Sequence, residues 1–240
     1  MYPKLEIDDL TFSYRQEPVL EHLSLRIYPG ERVCIKGKNG SGKSTLLKII
    51  SGLIYTEASI LFNGMPVKDM RAYKKRIAYI SDTPYLYDLL TGRENLAFFL
   101  HMWGIEDKHL YWEKAESLAG KFNLTDALDK TVSSYSLGMK HKLFFIGMYA
   151  RETEIFLLDE PLSALDQESQ QIMIDFLLQY SYEESKSVIF VSHLQDLEKT
   201  LANRIYYLSD RHLVEKERNN EEKNLLFDSV CSLPSDCRLL

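Results

Sequence analysis

The chain has 240 residues, 45% of them hydrophobic and 27% charged, an ordinary globular composition sized for one large domain or a core with a subdomain. A net charge of −6, with no long basic run to offset it, argues against a nucleic-acid partner. No apolar stretch approaches the ~20 residues that span a bilayer, no signal-peptide pattern opens the chain, and Cys34, Cys231 and Cys237 have neither metal nor disulfide spacing, so a reduced, cytosolic setting is expected.

In chain order, Leu5 and Ile7, then Leu23, Leu25 and Ile27, alternate with polar residues and predict two half-buried antiparallel strands. Pro29-Gly30 turns into Arg32-Val33-Cys34-Ile35-Lys36, short and β-branched as a buried strand would be. There follows Gly37-Lys38-Asn39-Gly40-Ser41-Gly42-Lys43-Ser44, which fits the phosphate-binding pattern G-x-x-x-x-G-K-[ST]. Ser44 to Ile50 reads as a helix, with Gly52 in the usual terminating place. Strand, glycine-rich loop and helix together aim backbone N–H groups and a helix N-terminus at one anion. Gly40 and Gly42 let the backbone curl around phosphates where a Cβ would clash, Lys43 can reach terminal phosphates, and the Ser44 hydroxyl can ligate Mg²⁺. A nucleoside triphosphate is the expected ligand.

Ser59 to Phe62 followed by Asn63-Gly64 predicts a hairpin, and Arg76 to Ser81 another core strand, so the first eighty or so residues read as strands and turns around a single helix. From about residue 84 to 151 apolar residues recur at helical spacing, which predicts a helical insert. Strand character returns at Glu154, and Ile155-Phe156-Leu157-Leu158 is a continuous apolar run of the kind buried on both faces. It ends in Asp159-Glu160, adjacent carboxylates that are costly at a buried strand end unless a cation or ligand needs them. Asp159 is placed to hold Mg²⁺ through water, and Glu160 to polarise a water for in-line attack on the γ-phosphate. A helix over Gln167–Tyr182, a strand over Ser187–Ser192 closed by His193, and a small strand over Arg204–Leu208 complete the core. Residues 214–240 read as a short charged tail.

Assembled, these pieces resemble the nucleotide-binding subunit of an ABC transporter over about residues 4–213, with a signature of the small-exporter type. Gly37 to Ser44 resembles Walker A and Ile155 to Asp159 Walker B. Glu160 matches the catalytic glutamate, Ser163-Ala164-Leu165-Asp166 the D-loop, and His193 the switch histidine. Tyr135-Ser136-Leu137-Gly138-Met139 falls where the signature motif belongs, with Leu137 in place of its first glycine.

The resemblance implies an α/β fold: a RecA-like phosphate-loop core with an N-terminal antiparallel β-subdomain and a helical subdomain, about 84–151, carrying the signature. It implies Mg-dependent ATP hydrolysis, with Lys43, Glu160 and His193 catalytic, and Gly37, Asn39, Gly40, Ser41, Gly42, Lys43, Ser44 and Thr45 around the phosphates. Tyr14 matches the adenine-stacking aromatic, with Phe12 as the alternative. Ser136 and Gly138, at a helix N-terminus, make a second anion nest for nucleotide held by an opposite chain, so a head-to-tail homodimer or heterodimer is expected. Asp82 falls where the family's glutamine touches Mg²⁺ and the attacking water, joining Ser44 and Asp159 as a metal-site residue. Tyr85 to Leu90 falls where the family's groove receives a cytoplasmic helix of the membrane permease, a separate chain; alternatively it packs the insert's own core. The chain would then lie on the inner face of the cell membrane, held there by that permease. Competing readings are a soluble, non-transport ABC ATPase, whose usual tandem cassettes or basic patches are not seen, and a weakly hydrolysing regulatory subunit, which Asp82 keeps open.

Overall fold

The computed structural model describes residues 2–182, 186–193 and 195–216; most of the charge run, the rest of the tail and Cys231 and Cys237 lie outside the described residues. Two sheets organise the chain. Strands β1 (Leu5–Tyr14) and β2 (Glu17–Ile27) pair antiparallel as their alternation predicts. The short hairpin of β4 (Ile60–Phe62) and β5 (Met65–Pro66) adds to the other side of β1, giving the order β2-β1-β4-β5. The second sheet contains β3 (Arg32–Lys36), β6 (Ile77–Ile80), β7 (Ile155–Asp159), β8 (Ser187–Val191), β9 (Arg204–Ser209) and β10 (His212–Glu215). Its order is β10-β9-β3-β8-β7-β6, parallel from β9 to β6, with β10 antiparallel at one edge.

Every residue of β7 and β8 is buried, as their unbroken apolar runs require. Alternate side chains serve two cores. Ile155, Leu157, Ile189 and Val191 pack with Leu46, Leu47 and the inward face of the antiparallel sheet. Phe156, Leu158, Val188 and Phe190 pack with the helices on the other side. The parallel sheet is thus the shared wall between two hydrophobic layers.

Helix α1 (Lys43–Ile50) leaves the phosphate loop and ends at Gly52, φ +72, the left-handed residue the sequence places there. A second helix, α2 (Met70–Lys75), corrects the reading of a single helix in the first eighty residues. It is capped by the Asp69 carboxylate, which accepts from the N–H groups of Arg71 and Ala72, and only Tyr73 of its six residues is buried, so it has almost no apolar period to read. Helices α3 (Gly92–Trp103), α4 (Lys108–Lys121) and α5 (Leu137–Tyr149) form the helical layer. A full capping box between Thr91 and Glu94 begins α3. Helix α6 (Gln167–Tyr182) has the predicted bounds, whereas α7 (Gln195–Leu201) was not anticipated. Strand β10 crosses position 213, where the sequence reading ends the domain, and begins what it read as tail.

Candidate functional site

The loop between β3 and α1 supplies the floor of the site. Gly42 caps α1 in the left-handed region, φ +104, where a Cβ would come within 2.8 Å of Val19 Cγ1, so only glycine lets β2 lie this close behind the loop. Gly37, Asn39 and Gly40 carry the turn that precedes it, with Ser41 N–H donating to the Lys38 carbonyl at 3.1 Å. The Lys43 ammonium, in a side chain only 7% exposed, donates to the carbonyls of Gly37 and Lys38, both at 2.9 Å. The buried Ser41 hydroxyl has no hydrogen-bond partner among the described residues. A buried polar atom of this kind at the rim of an N–H-lined loop fits a phosphate oxygen.

The loop and the acidic strand meet across 115 positions of sequence. Ser44 Oγ donates to Asp159 Oδ1 at 3.0 Å, and the Tyr79 hydroxyl, from the neighbouring strand β6, donates to Asp159 Oδ2 at 3.2 Å. Asp159 is 4% exposed, so both oxygens of a buried carboxylate are served. Burial, reinforced by Asp159, pushes the Tyr79 phenol far above its ordinary range, which keeps it a donor. Carboxylate and hydroxyl are the hard oxygen donors that suit Mg²⁺, and Ser44 with Asp159 would hold the ion. No group of three or more His, Cys, Asp or Glu suited to a metal occurs among the described residues.

Glu160 follows in a left-handed backbone conformation, φ +52, its N–H donating to the Val191 carbonyl at 3.1 Å. This ties the end of β7 to the end of β8 and brings Glu160 to His193. The His193 N–H donates to Glu160 Oε2 at 3.3 Å, and the His193 ring lies 3.3 Å from Oε1 without hydrogen-bond alignment. Burial pushes the Glu160 carboxyl up from its ordinary value, against the pull of the His193 N–H. A carboxylate raised in this way is a better proton acceptor than a solvated one.

Tyr14 stands at the end of β1, about half exposed, with its hydroxyl 3.5 Å from Thr45 Oγ1 at the start of α1. Phe12 packs edge-on against it, ring centroids 5.0 Å apart, so of the two aromatics Tyr14 presents the freer ring beside the loop.

Ser136 and Gly138 lie elsewhere. Ser136 caps α5 and accepts from the Met139 N–H at 3.2 Å, and no hydrogen bond among the described residues joins this helix end to Gly37–Thr45. Leu137 is 60% exposed and points to solvent. Gly138 abuts the loop after β7: a Cβ there would come within 2.9 Å of the Ala164 carbonyl. Lys142 pairs with Asp166 at 3.1 Å, and Lys140 with Asp88 at 2.6 Å. Asp82 is exposed at the end of β6, where its charge acts on the buried His141 of α5; burial holds the His141 ring below its ordinary value and Asp82 opposes that.

Beside α3 and α5 a cleft of about 160 Å³ is lined by Tyr79, Tyr85, Phe99, Met102, Trp103 and Phe144, among others. Tyr85, Tyr87 and Leu89 are 64%, 55% and 88% exposed, yet the Tyr85 ring meets Phe144 of α5 and the Tyr87 ring meets Phe98 of α3 edge-on, so the segment both packs on the helical layer and presents surface to solvent. Sequence reasoning missed two participants, Tyr79 and the Ala164 carbonyl. A tyrosine at an inward strand position reads as core, and a backbone atom leaves no signal in side-chain pattern.

A family model described as ABC transporter matches residues 20–163, more than half of the chain. The ABC transporter ATP-binding protein NatA of Bacillus subtilis (strain 168) is 30% identical over 219 residues, which are 86% of this chain and 88% of NatA. The bacitracin transport ATP-binding protein BcrA of Enterococcus faecalis is 30% identical, over 90% of this chain and 70% of its own. A solved ATP-binding subunit of an ABC transporter superposes with a TM-score of 0.83 at 25% identity, over 95% of this chain and 97% of that one. A dimeric ATP-binding cassette in a post-hydrolysis state with ADP and Pi shares the fold, with a TM-score of 0.78 at 24% identity over 90% of this chain and 99% of that one.

Proposed function

Because the chain belongs to the ABC transporter family as an ATP-binding subunit, we propose that it hydrolyses Mg-ATP as a head-to-tail dimer and drives a separate transmembrane permease, in the export direction. The observation that carries this is the Ser44–Asp159 contact at 3.0 Å, which closes the phosphate loop onto the acidic strand beside Glu160. The loop N–H groups and Lys43 hold the terminal phosphates. Bound Mg²⁺ supplies neutralisation of charge on the phosphate oxygens. Glu160 orients the attacking water and takes its proton, and His193 steadies Glu160 and faces the γ-phosphate. Tyr14 stacks on the base.

One chain carries one phosphate loop and one Ser136–Gly138 helix end, and no hydrogen bond among the described residues joins the two. A second copy, or a related chain, brings its own helix end to the first chain's ATP, so nucleotide acts as part of the interface and hydrolysis releases it. The transport named for BcrA supports coupling to a permease. The aromatic cleft near Tyr85 and Trp103 receives that permease's cytoplasmic helix, which places the chain at the inner face of the membrane; no helix among the described residues is long and apolar enough to cross one. The Tyr135-Ser136-Leu137-Gly138 signature favours export.

The test is Glu160→Gln. Light scattering with Mg-ATP is expected to show a stable dimer for the variant and a monomer without nucleotide, while wild type turns ATP over. A wild type without turnover would instead favour the weakly hydrolysing regulatory subunit, the reading that the exposed Asp82 carboxylate supports.

A further inference from the structure

We propose that Tyr79 is a positioning residue for the metal site: its hydroxyl fixes the Asp159 carboxylate in the orientation that presents the Ser44-facing oxygen to Mg²⁺. The inference rests on the reading of Ser44 and Asp159 as the metal-holding pair.

The placement follows from strand register. In the parallel pair β6 and β7, Tyr79 stands opposite Leu157. Side chains two apart on a strand share a face, so Asp159 projects to the same side as Leu157 and Tyr79, one pair further along. A phenol is long enough to cross that diagonal, and the Tyr79 hydroxyl reaches Asp159 Oδ2 at 3.2 Å. Ser44 Oγ takes Oδ1 at 3.0 Å from the opposite side. The carboxylate is held by two donors from two different elements, one from the loop helix and one from the sheet.

The consequence concerns rotation of the carboxylate. With Ser44 alone, Asp159 turns about its terminal bond, since that torsion is broad and two-fold. If Ser44 turned to a metal it would give up its bond to Oδ1, and without Tyr79 neither oxygen of the buried carboxylate would keep either of these donors. Tyr79 supplies one that does not depend on whether the ion is bound. Its ring is 8% exposed and packed in the core beneath the antiparallel sheet, so the donor is itself fixed. A phenylalanine there fills the same volume and lacks only the donor.

The experiment compares wild type, Tyr79→Phe and Asp159→Asn by the binding of a fluorescent ATP analogue, first in EDTA and then titrated with Mg²⁺, with thermal melting of each. Tyr79→Phe is expected to bind the analogue like wild type in EDTA, and to need about tenfold to hundredfold more Mg²⁺ for half-maximal enhancement, the range of one hydrogen bond to a charged group. Asp159→Asn should raise the requirement further. If Asp159→Asn shifts the Mg²⁺ midpoint and Tyr79→Phe leaves it at the wild-type value, the positioning role is overturned and the metal reading stands. If neither variant shifts it, the metal reading itself fails. Equal loss of binding with and without Mg²⁺ in Tyr79→Phe, or loss of its cooperative melt, would make the hydroxyl a structural group and overturn the proposal.

Discussion

Glu160 is held in a conformation that residues with a Cβ avoid. At φ +52 a glutamate has the strain of the left-handed region, about 1 kcal/mol, with none of the local hydrogen bonding that excuses asparagine there. What holds it is the bond from its N–H to the Val191 carbonyl and the His193 N–H on its carboxylate. Burial also disfavours its charge. A residue kept for stability would not combine backbone strain with a disfavoured charge. Glu160→Gly should therefore melt no lower than wild type, and by up to about 1 kcal/mol higher, while ATP turnover disappears. Parallel melting curves and phosphate-release assays would check it. A clear fall in melting temperature would mean that the side chain holds the β7–β8 junction together and that its conformation has a structural cause.

At the scale of elements, α5 does the joining. Its first turn abuts the Ala164 carbonyl, Lys142 reaches Asp166 beyond β7, and Lys140 reaches Asp88 beyond β6. A movement of this helix is therefore felt at the loops following two strands that border the site. Gly138→Ala separates the roles. Alanine favours a helix over glycine by about 1 kcal/mol, but its Cβ would meet a backbone oxygen at 2.9 Å, and the loop holding Ala164 must shift. Melting should change by less than about 1 kcal/mol, whereas in a Glu160→Gln background the ATP-dependent dimer should weaken at least tenfold; light scattering across a concentration series measures it. An unchanged dimer would remove Gly138 from the interface. The elements themselves were largely legible. Gln167–Tyr182 has the bounds expected for it, and β7 follows from four consecutive apolar residues. Short elements were not: α2 buries one residue of six, and β10 owes its place to pairing with β9 and not to its own pattern. Within the site, the meeting of Ser44 with Asp159 was to be expected, because the sequence reading gave both to one proposed Mg²⁺. The Tyr79–Asp159 and Lys142–Asp166 contacts were not, because partners 80 and 24 positions apart are chosen by the fold.

At the scale of the whole molecule, two cores share one sheet, and on the proposed function the antiparallel sheet that carries Tyr14 must keep its position over the Gly37–Ser44 loop. Glu154, at the entrance to β7, fastens them. Its carboxylate takes Lys4 from just before β1, Arg76 from just before β6, and the Asn63 amide at 3.3 Å from the β4–β5 turn. The Lys4 side chain is 5% exposed, and burial lowers its pKa, so its charge depends on this partner. Removing the carboxylate leaves a buried ammonium unpaired, which costs about 3 kcal/mol, and Glu154→Ala should melt several degrees lower. The double variant Lys4→Met, Glu154→Leu should recover most of that loss, since a packed apolar pair replaces the ions without an orphaned charge. Function divides along the same seam. Below its melting range, Glu154→Ala should bind inorganic triphosphate like wild type, because the phosphate loop belongs to the parallel sheet. It should bind ATP more weakly, because Tyr14, the proposed base-stacking ring, belongs to the other sheet. Calorimetric titration of both ligands reads the two effects separately, and a parallel loss of both affinities would show that the two sheets move as one body with the fastening removed.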